Sequence, residues 1–216
     1  MNLRQNRKNR DQTMSNVVQG SPSWFEQRQG LVTASRLSDV MAKETTASRN
    51  NYMAQLIAEV LTGETEESYT NDFMQWGIEK EGEARTAYEF VKNTRVEEIG
   101  FAMHPKLASG ASPDGLVGND GLVEIKCPKT KTHIDYLLTE TIPKKYKYQM
   151  LWQMECTSRN WCDFVSYDPR LDTARQLFVK RYELDAKELD KIREKVTEFI
   201  DEMADKIKLL KEKYGE

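Results

Sequence analysis

The fold of this chain is decided by one stretch, SPDGLVGNDGLVEIKCP, which occupies residues 112–128. In its second half Leu122, Glu124 and Lys126 alternate with apolar residues, which is the period-two pattern of a β-strand. The glycines, asparagine and aspartate before that run predict a tight turn from an earlier strand that starts near Asp114. Ionised groups are rarely buried in a sheet unless they are paired or bound to a metal. The stretch therefore predicts a β-hairpin that carries reactive groups.

The turn of this hairpin decides whether Asp114 and Glu124 share a face. A two-residue loop would point Asp114 away from Glu124. A three-residue loop over residues 119–121, with Gly121 in the left-handed conformation, pairs Leu116 with Glu124 and brings both carboxylates to one side. Because glycine suits that conformation, we predict the three-residue loop. If the two carboxylates lay on opposite faces, they could not form one site.

Two carboxylates on adjacent strands form an oxygen-rich site that suits Mg²⁺, with Mn²⁺ as a substitute. The backbone carbonyl of Ile125, between Glu124 and Lys126, can turn toward the same ion. Two roles remain open for Lys126, as a counter-ion to the carboxylates or as a group that holds or deprotonates an attacking water. Such a site would stabilise the charge that develops during hydrolysis of a phosphodiester.

Length and composition describe one folded domain preceded by an arm. The chain has 216 residues, of which 31% are charged, and it has no run of about eighteen apolar residues that could span a membrane. We expect a flexible arm over residues 1–20 and a single domain over residues 21–216. The three scattered cysteines form no zinc pattern and indicate reduced thiols, so a cytoplasmic protein is expected.

The order of elements predicts an α/β domain with a mixed central sheet flanked by helices. Helices are expected at residues 21–28, 35–43, 47–61, 72–92, 134–141, 146–158 and 185–214, and strands at residues 95–104, 107–112, 160–167 and 175–183, besides the hairpin. The net charge of −3 does not by itself predict nucleic-acid binding. Two lysine clusters nevertheless flank the hairpin, at residues 126–131 and 144–147.

Arg28, Thr33 and Ser35 indicate a candidate anion site before the hairpin. Thr33 can cap the helix that starts at Ser35, and the free N–H groups of a helix N-terminus bind anions, as a nearby arginine does. The alternative is that the hydroxyls only cap the helix and that Arg28 is a surface charge. In the next loop, Arg49 could reach toward a ligand.

Polar residues also occur on the apolar faces of two predicted helices. Glu81 continues the apolar stripe of helix 72–92, so it is either an ion-pair partner or a third acidic group directed at the hairpin. Gln149 and Gln153 lie one turn apart on helix 146–158. Buried glutamines usually satisfy backbone groups, which is the simpler interpretation of this pair.

The Pro-Asp and Glu-x-Lys elements of the opening stretch are the signature of the PD-(D/E)XK nuclease superfamily. From Trp24 to Pro169 the sequence resembles the phage lambda exonuclease family of viral recombination exonucleases. The matching segments, in family order, are Trp24, RQGLVTAS (28–35), AEVLTG (58–63), WGIEKE (76–81), SPDG (112–115), EIKCP (124–128), YKYQ (146–149) and YDP (167–169).

The resemblance implies a restriction-endonuclease-like fold and Mg²⁺-dependent 5′→3′ digestion of one strand of duplex DNA to 5′-mononucleotides. The remaining 3′ strand would serve recombination by strand annealing. Matched residue by residue, Asp114 and Glu124 resemble the metal carboxylates and Lys126 the water-positioning lysine. Gln149 resembles a helper near the nucleophile, and Glu81 the carboxylate that the family carries on a helix and that can also reach the metal.

The resemblance also implies partners. Arg28, Ser35 and Ser112 match the family's pocket for the 5′-phosphate of a DNA end. Family members are phage or prophage proteins that form ring-shaped homotrimers around DNA and work with a single-strand annealing protein, so these partners are expected and a membrane is not. Met74 lies where the family places an apolar wedge. The loop over residues 43–51 departs in length and composition from the lambda enzyme.

Two other functions remain open. An endonuclease or single-strand nuclease could use the same core without an end pocket. A non-catalytic, ring-shaped DNA-end-binding protein would not require the acidic pair and the lysine, so the presence of Asp114, Glu124 and Lys126 favours an enzyme.

Overall fold

The computed structural model describes residues 14–65 and 72–215, with the side chains of residues 72–74 excepted. The helices are α1 (Pro22–Arg28), α2 (Leu37–Val40), α3 (Ala47–Thr62), α4 (Asp72–Lys92), α5 (Thr130–Thr139), α6 (Lys144–Thr157) and α7 (Ala186–Tyr214). The strands are β1 (Val32–Thr33), β2 (Val96–Glu97), β3 (Ala102–Met103), β4 (Ser109–Ala111), β5 (Gly115–Val117), β6 (Gly121–Lys126), β7 (Trp161–Tyr167) and β8 (Leu177–Glu183). A short 3₁₀ helix, Ala34–Arg36, joins β1 to α2.

The central sheet contains five strands in the order β2-β5-β6-β7-β8. Strand β6 lies in its middle, antiparallel to β5 and parallel to β7, so the sheet is mixed. A smaller sheet has the order β1-β4-β3. Helices α4, α5 and α6 pack against the central sheet, and α6 also contacts the smaller one. The predicted α/β class, with a mixed sheet flanked by helices, is confirmed.

The β5–β6 hairpin brings Asp114 opposite Glu124 by a turn different from the predicted one. The loop covers residues 118–120, and Gly118 takes the left-handed conformation with φ of 54°. Val117 pairs with Gly121. Asp114, three residues before Val117, therefore lies opposite Glu124, three residues after Gly121. The predicted loop length and shared face are correct, and the predicted pairing of Leu116 is wrong.

The reason for this turn is the packing of Gly121. A Cβ atom on Gly121 would lie 2.0 Å from the indole ring of Trp161, the residue with which it pairs on β7. Gly121 is therefore a strand residue that permits close approach of a large ring. The left-handed turn position falls to Gly118 instead.

The two faces of β6 pack against different helices. Val123 and Ile125 join a cluster with Ala84 and Tyr88 of α4. Leu122, on the opposite face, belongs to the larger core that includes apolar residues of α6 and α7. Because side chains alternate along a strand, Glu124 and Lys126 extend from the same face as Leu122, toward α6.

The last helix is a packing helix, as its apolar pattern predicted. Asp185 caps it, because its Oδ1 atom accepts a hydrogen bond from the backbone N–H of Glu188 at 3.1 Å. The buried face carries Leu189, Ile192, Val196, Phe199 and Met203. This helix covers α3 and α6 on the side away from the central sheet's α4 layer.

Two predicted elements are shorter than expected. The helix predicted from Ser35 to Lys43 is a 3₁₀ turn followed by α2, which ends at Val40. The strand predicted over residues 95–104 is divided between β2 and β3, which belong to different sheets. The division falls at Gly100, where a Cβ atom would lie 2.2 Å from the carbonyl oxygen of Val17. An earlier segment of the chain crosses at that point.

That crossing segment is the end of the predicted arm. The backbone N–H of Ser15 donates to the carbonyl of Phe101 at 2.9 Å. The Gln19 side chain donates to the carbonyls of Ile99 and Pro113, each at 2.9 Å. Residues 14–20 are thus hydrogen-bonded to the domain, while residues 1–13 lie outside the described part. The division of the chain at residue 20 stays a prediction. Among the described helices, none is long and apolar enough to cross a membrane.

Candidate active site

Three charged side chains meet at the end of the β5–β6 hairpin. Lys126 Nζ contacts Glu124 Oε1, and the Glu124 side chain is completely buried while that of Lys126 is 29% exposed. Asp114 Oδ2 accepts a hydrogen bond of 2.6 Å from the backbone N–H of Ile125. Asp114 is therefore anchored to the backbone between Glu124 and Lys126, and the predicted convergence of these three residues is present.

The backbone carbonyl of Ile125 faces the same edge as Asp114. In an extended strand the N–H and C=O groups of one residue point in the same direction. Because the Ile125 N–H points at Asp114, the Ile125 carbonyl is available beside the acidic pair. The donor set expected for a hard cation, two carboxylates and one carbonyl, thus lies at one edge of β6.

Two glutamines of α6 hold the Glu124 carboxylate. Gln149 Nε2 donates to Glu124 Oε1, and Gln153 Nε2 donates to Glu124 Oε2, each at 2.6 Å. The interpretation that these glutamines satisfy backbone groups is wrong for both side chains. Gln149 was expected near the nucleophile from the family resemblance, but Gln153 was missed. The available signal was the spacing of four residues, which places both amides on one side of α6.

Burial and like charge make the acidic pair unfavourable without a cation. Burial, and then the negative charge of Glu124, raise the pKa of Asp114 well above its usual value. Burial acts to lower the pKa of Lys126, but the carboxylates of Glu124 and Asp114 outweigh it and raise that pKa. Lys126 is therefore protonated at neutral pH, which suits a counter-ion or a donor to a bound water.

Glu81 approaches from α4, on the opposite side of the sheet from α6. Its Oε1 atom accepts a hydrogen bond of 2.7 Å from Arg85 Nη2, so Glu81 has the ion-pair partner that one of the two interpretations predicted. Burial, partly offset by Arg85 and Lys126, raises the pKa of Glu81. The charges of Glu124 and Lys126 act on Glu81, which places the third acidic group near the hairpin site as well.

The residues matched to a phosphate pocket line one cavity. Arg28, Ser35 and Ser112 surround a volume of about 160 Å³ together with Gln19, Trp24, Thr33, Ala34 and Gln149. Gln149 thus belongs to the cavity and also binds the Glu124 carboxylate. A larger cleft of about 1240 Å³ lies alongside and is bounded in part by Arg28, Glu81 and Asp114. The smaller cavity therefore adjoins the acidic site through Gln149, and the larger cleft reaches it at Asp114 and Glu81.

Arg28 is prepared for an anion. Its guanidinium lies over the Trp24 ring, 3.7 Å from the centroid, and its buried Nε atom has no hydrogen-bond partner among the described residues. The Trp24 indole N–H donates to Ser112 Oγ at 2.9 Å, so one side chain orients two pocket residues. Burial lowers the pKa of Arg28 to about 10, which leaves the group charged at neutral pH. A half-buried cation whose buried Nε–H group is unused favours a bound anion.

Thr33 does not cap the helix through its side chain, contrary to the expectation from sequence. It occupies the position before the 3₁₀ turn, but its side chain makes no capping hydrogen bond. The Tyr52 hydroxyl lies 3.0 Å from the Thr33 backbone N–H and accepts its hydrogen bond. The Thr33 hydroxyl lies 3.5 Å from Ser35 Oγ, at the wall of the cavity. The candidate anion site therefore consists of the cavity walls and Arg28, without a side-chain cap from Thr33.

The residues present fit a hard divalent cation that keeps several waters. Within residues 14–65 and 72–215, no three or more His, Cys, Asp or Glu side chains are grouped so that together they could hold a metal ion. Mg²⁺ does not require such a group, because it is commonly bound through one or two carboxylates and waters. Asp114 and Glu124, with the Ile125 carbonyl, supply such a donor set. Glu81 could join it only by loosening its contact with Arg85.

Two further expectations have different outcomes. Arg49 was expected to reach toward a ligand, but it is buried and pairs with Glu202 Oε2 at 2.7 Å, so that expectation is wrong. It belongs to α3, which starts at Ala47 as predicted, so the second half of the segment 43–51 is helical. The side chain of Met74, the expected wedge, lies outside the described part of the chain.

The fold and the site together define a class, the nucleases with a restriction-endonuclease-like core. Residues 23–160 match the model of the YqaJ-like viral recombinase domain. The chain belongs to this family, which confirms the resemblance found in the sequence. No match was found among curated protein sequences.

Solved structures give the same result. The chain is similar to two crystal structures of LHK-Exo, an alkaline exonuclease from Laribacter hongkongensis, one of them in complex with dAMP. Each is 47% identical in sequence with a TM-score of 0.85, and the match covers 89% of this chain and 97% of that chain. A phage-related exonuclease from Haemophilus somnus has a TM-score of 0.69 at 16% identity, over 84% of this chain and 96% of that chain, and shares the fold.

Proposed function

We propose that this protein is a Mg²⁺-dependent exonuclease that digests one strand of duplex DNA in the 5′→3′ direction and releases 5′-mononucleotides. The observation that carries the proposal is the position of Gln149. Its side chain binds the buried Glu124 carboxylate and also lines the cavity of Arg28, Ser35 and Ser112. An anion held in that cavity would lie beside the acidic site, as the end of a DNA strand must.

The cavity residues bind and orient the substrate in this proposal. The Arg28 guanidinium neutralises a terminal 5′-phosphate, and the hydroxyls of Ser35 and Ser112 donate hydrogen bonds to it. Trp24 positions both residues, because its ring stacks against the Arg28 guanidinium and its indole N–H donates to Ser112 Oγ. This arrangement selects the end of a strand, because an internal phosphodiester has no terminal phosphate to fill the pocket.

The hairpin residues act on the first phosphodiester. Asp114, Glu124 and the Ile125 carbonyl would hold the cation, and Glu81 would join them only after leaving Arg85. When bound, a divalent cation stabilises the charge of the transition state and lowers the pKa of a water. Lys126, which is protonated beside Glu124, would donate a hydrogen bond to that water, and Gln149, which lines the cavity, would contact it as well. Mn²⁺ would occupy the same donors.

The relatives support the product and the biological role. LHK-Exo is described as an alkaline exonuclease and has been solved with dAMP, a nucleoside monophosphate. The family model is that of a viral recombinase. We therefore propose that the exposed 3′ strand serves recombination through an annealing protein. A homotrimeric ring around the duplex, phage or prophage origin and a cytoplasmic location complete the proposal.

Release of nucleotides from a linear duplex tests this function. With Mg²⁺, the wild-type protein is expected to release mononucleotides, and Asp114→Asn is expected to lower the rate by at least about 100-fold, because it removes a carboxylate from the reacting site. Asp120→Asn makes the same change on the exposed turn of the same hairpin and should retain activity. Full activity of Asp114→Asn, or no release with any divalent cation, would contradict the proposal.

A further inference from the structure

Gln153 lies behind the active site, where substrate cannot reach it. It is completely buried, one turn after Gln149 on α6, and its Nε2 atom donates to Glu124 Oε2 at 2.6 Å. The other carboxylate oxygen, Oε1, is contacted by Gln149 and Lys126. The two oxygens of Glu124 thus have different kinds of partner. Gln149 and Lys126, which contact Oε1, also reach the cavity or solvent, whereas Gln153, which contacts Oε2, reaches neither.

Within the described part of the chain, the Oε1 atom of Gln153 has no partner, so the Nε2 hydrogen bond to Glu124 has to explain why this buried residue is a glutamine. A carboxylate only accepts hydrogen bonds, so Gln153 must present its amide N–H groups to Glu124. Its Oε1 atom then points away and has no hydrogen-bond partner among the described residues. An unpaired buried carbonyl is unfavourable, and an apolar side chain of similar size would avoid it. The hydrogen bond to Glu124 is the interaction that explains the residue.

Gln149 and Lys126 are suited to change partners, whereas Gln153 is fixed. Gln149 lines the cavity and Lys126 is 29% exposed, so both can turn toward substrate or water. The backbone at Gln153 is tied within α6, because Thr157 Oγ1 donates to its carbonyl at 2.7 Å. When the partners of Oε1 move, the hydrogen bond from Gln153 is the contact that keeps Glu124 in its orientation.

We propose that Gln153 is a positioning residue that fixes the Glu124 carboxylate for cation binding while Gln149 and Lys126 act on the substrate. The proposal rests on the proposed function, in which Glu124 is a cation ligand. Groups that hydrogen-bond to a metal-binding carboxylate fix its orientation, and their loss commonly lowers metal affinity by about 10- to 100-fold. Gln153 acts through Glu124 and does not contact the reacting atoms.

Mn²⁺ binding to the full chain without DNA tests this role, with free Mn²⁺ measured by electron paramagnetic resonance. Gln153→Met keeps the length of the side chain and removes the amide, so it should weaken Mn²⁺ binding by about 10- to 100-fold. It should also lower kcat on duplex DNA and leave KM unchanged. Tyr88→Phe removes a buried hydrogen bond, the one to Asp163 on the face of the sheet that α4 covers, without touching Gln153 or Glu124, and its Mn²⁺ affinity should stay within about twofold of wild type.

A second variant guards against misfolding. Gln153→Asn retains an amide, but its side chain is one methylene too short to reach Oε2, so Mn²⁺ affinity should again be lower than in wild type. If Gln153→Met does not fold, the Mn²⁺ affinity of Gln153→Asn tests the positioning role instead. Wild-type-like Mn²⁺ affinity in a folded Gln153 variant would overturn the inference and leave the proposed function intact. A wild-type protein that binds no Mn²⁺ would contradict both.

Discussion

Glu124 is the residue of the candidate site that makes the most contacts with its other residues. Its carboxylate is buried and contacts Lys126 on β6 as well as Gln149 and Gln153 on α6. Asp114 is held beside it by the Ile125 N–H. An ionised carboxylate without exposure to water needs this many donors, because each unmade contact would leave buried charge uncompensated. The arrangement fixes the acidic pair before any ligand arrives.

Arg28 gives the sharpest prediction at this scale. Arg28→Ala should reduce kcat/KM on 5′-phosphorylated duplexes by about 10- to 100-fold, because a buried charge-assisted hydrogen bond is lost. Activity on 5′-hydroxyl ends should be unchanged, so the preference for phosphorylated ends disappears. Arg175→Ala removes an exposed arginine that pairs with Asp172 and should change neither substrate. Equal losses on both kinds of end would contradict the pocket.

Some of these residues could be predicted from sequence and others could not. The convergence of Asp114, Glu124 and Lys126 could be predicted from sequence, because strand alternation and the turn place them on one face. Gln153 was not, since its partner lies 29 residues away in sequence and only the packing of α6 on β6 brings them together. The role of Arg49 was misjudged for the same reason, because its partner Glu202 comes from the last helix.

Among the elements, the hairpin sets the position of the acidic pair. Its turn is held from outside, because Arg159 Nη1 donates to the carbonyls of Gly118 and Gly121 at 3.0 and 2.8 Å. The carbonyl of Asp120 accepts from Asn160 at 2.8 Å. The short segment between α6 and β7 thus holds the loop, which supports the register that aligns Asp114 with Glu124.

Substitution of the two turn glycines should distinguish their roles. Gly121→Ala would force the Trp161 ring away from its place and should lower the free energy of unfolding by about 1–3 kcal/mol. Gly118→Ala meets no neighbouring atom within 4 Å but must keep φ of 54°, which costs about 1 kcal/mol. Urea unfolding of both variants measures this. A Gly121→Ala protein as stable as wild type would contradict the packing described for β6 and β7.

The contact between α6 and α7 should depend on pH. Glu155 of α6 pairs with Arg193 of α7 at 2.7 Å and with His104 at 3.4 Å. Burial acts to raise the pKa of Glu155, but these hydrogen bonds outweigh it and lower the pKa to about 2. A lowered pKa means that the stabilisation is complete above the ordinary glutamate pKa, 4.5, and is lost as the pH falls toward 2.

Glu155→Gln therefore has a defined pH profile. The variant should be less stable than wild type by about 1–3 kcal/mol at pH 7, and the difference should shrink between pH 4.5 and pH 2. Glu212→Gln alters an exposed glutamate that lies 3.9 Å from Lys208 and should change stability by less than about 0.5 kcal/mol. Urea unfolding at several pH values gives both curves. A constant difference across this range would contradict the assignment.

Across the whole molecule, charge is distributed unevenly. The net charge is −3, yet Lys144 and Lys145 lie exposed at the start of α6, the helix that supplies Gln149 and Gln153. A bound duplex would therefore meet local positive charge beside the acidic site. The sequence could indicate the lysine cluster at residues 144–147, but only the fold shows that it lies on the same helix as the two glutamines that bind Glu124.

The salt dependence of DNA binding tests the lysine cluster. If Lys144 and Lys145 each contact a phosphate, their combined replacement by alanine should reduce the slope of log K against log salt by about 2, because each contact contributes about 0.9. Lys208→Ala with Lys211→Ala, both exposed on α7, serves as the matched control and should leave the slope unchanged. An unaltered slope in the Lys144 and Lys145 variant would exclude these contacts.

A time course on labelled DNA tests the central claim, that the site acts at the 5′ end of a duplex strand. Three substrates are compared under Mg²⁺: a duplex with a 5′-phosphate, the same duplex with a 5′-hydroxyl, and a closed circle. We expect early release of the 5′-terminal label as a mononucleotide from the phosphorylated duplex, slower release from the hydroxyl end, and no cleavage of the circle. Cleavage of the circle, or release of a 3′-terminal label first, would contradict it.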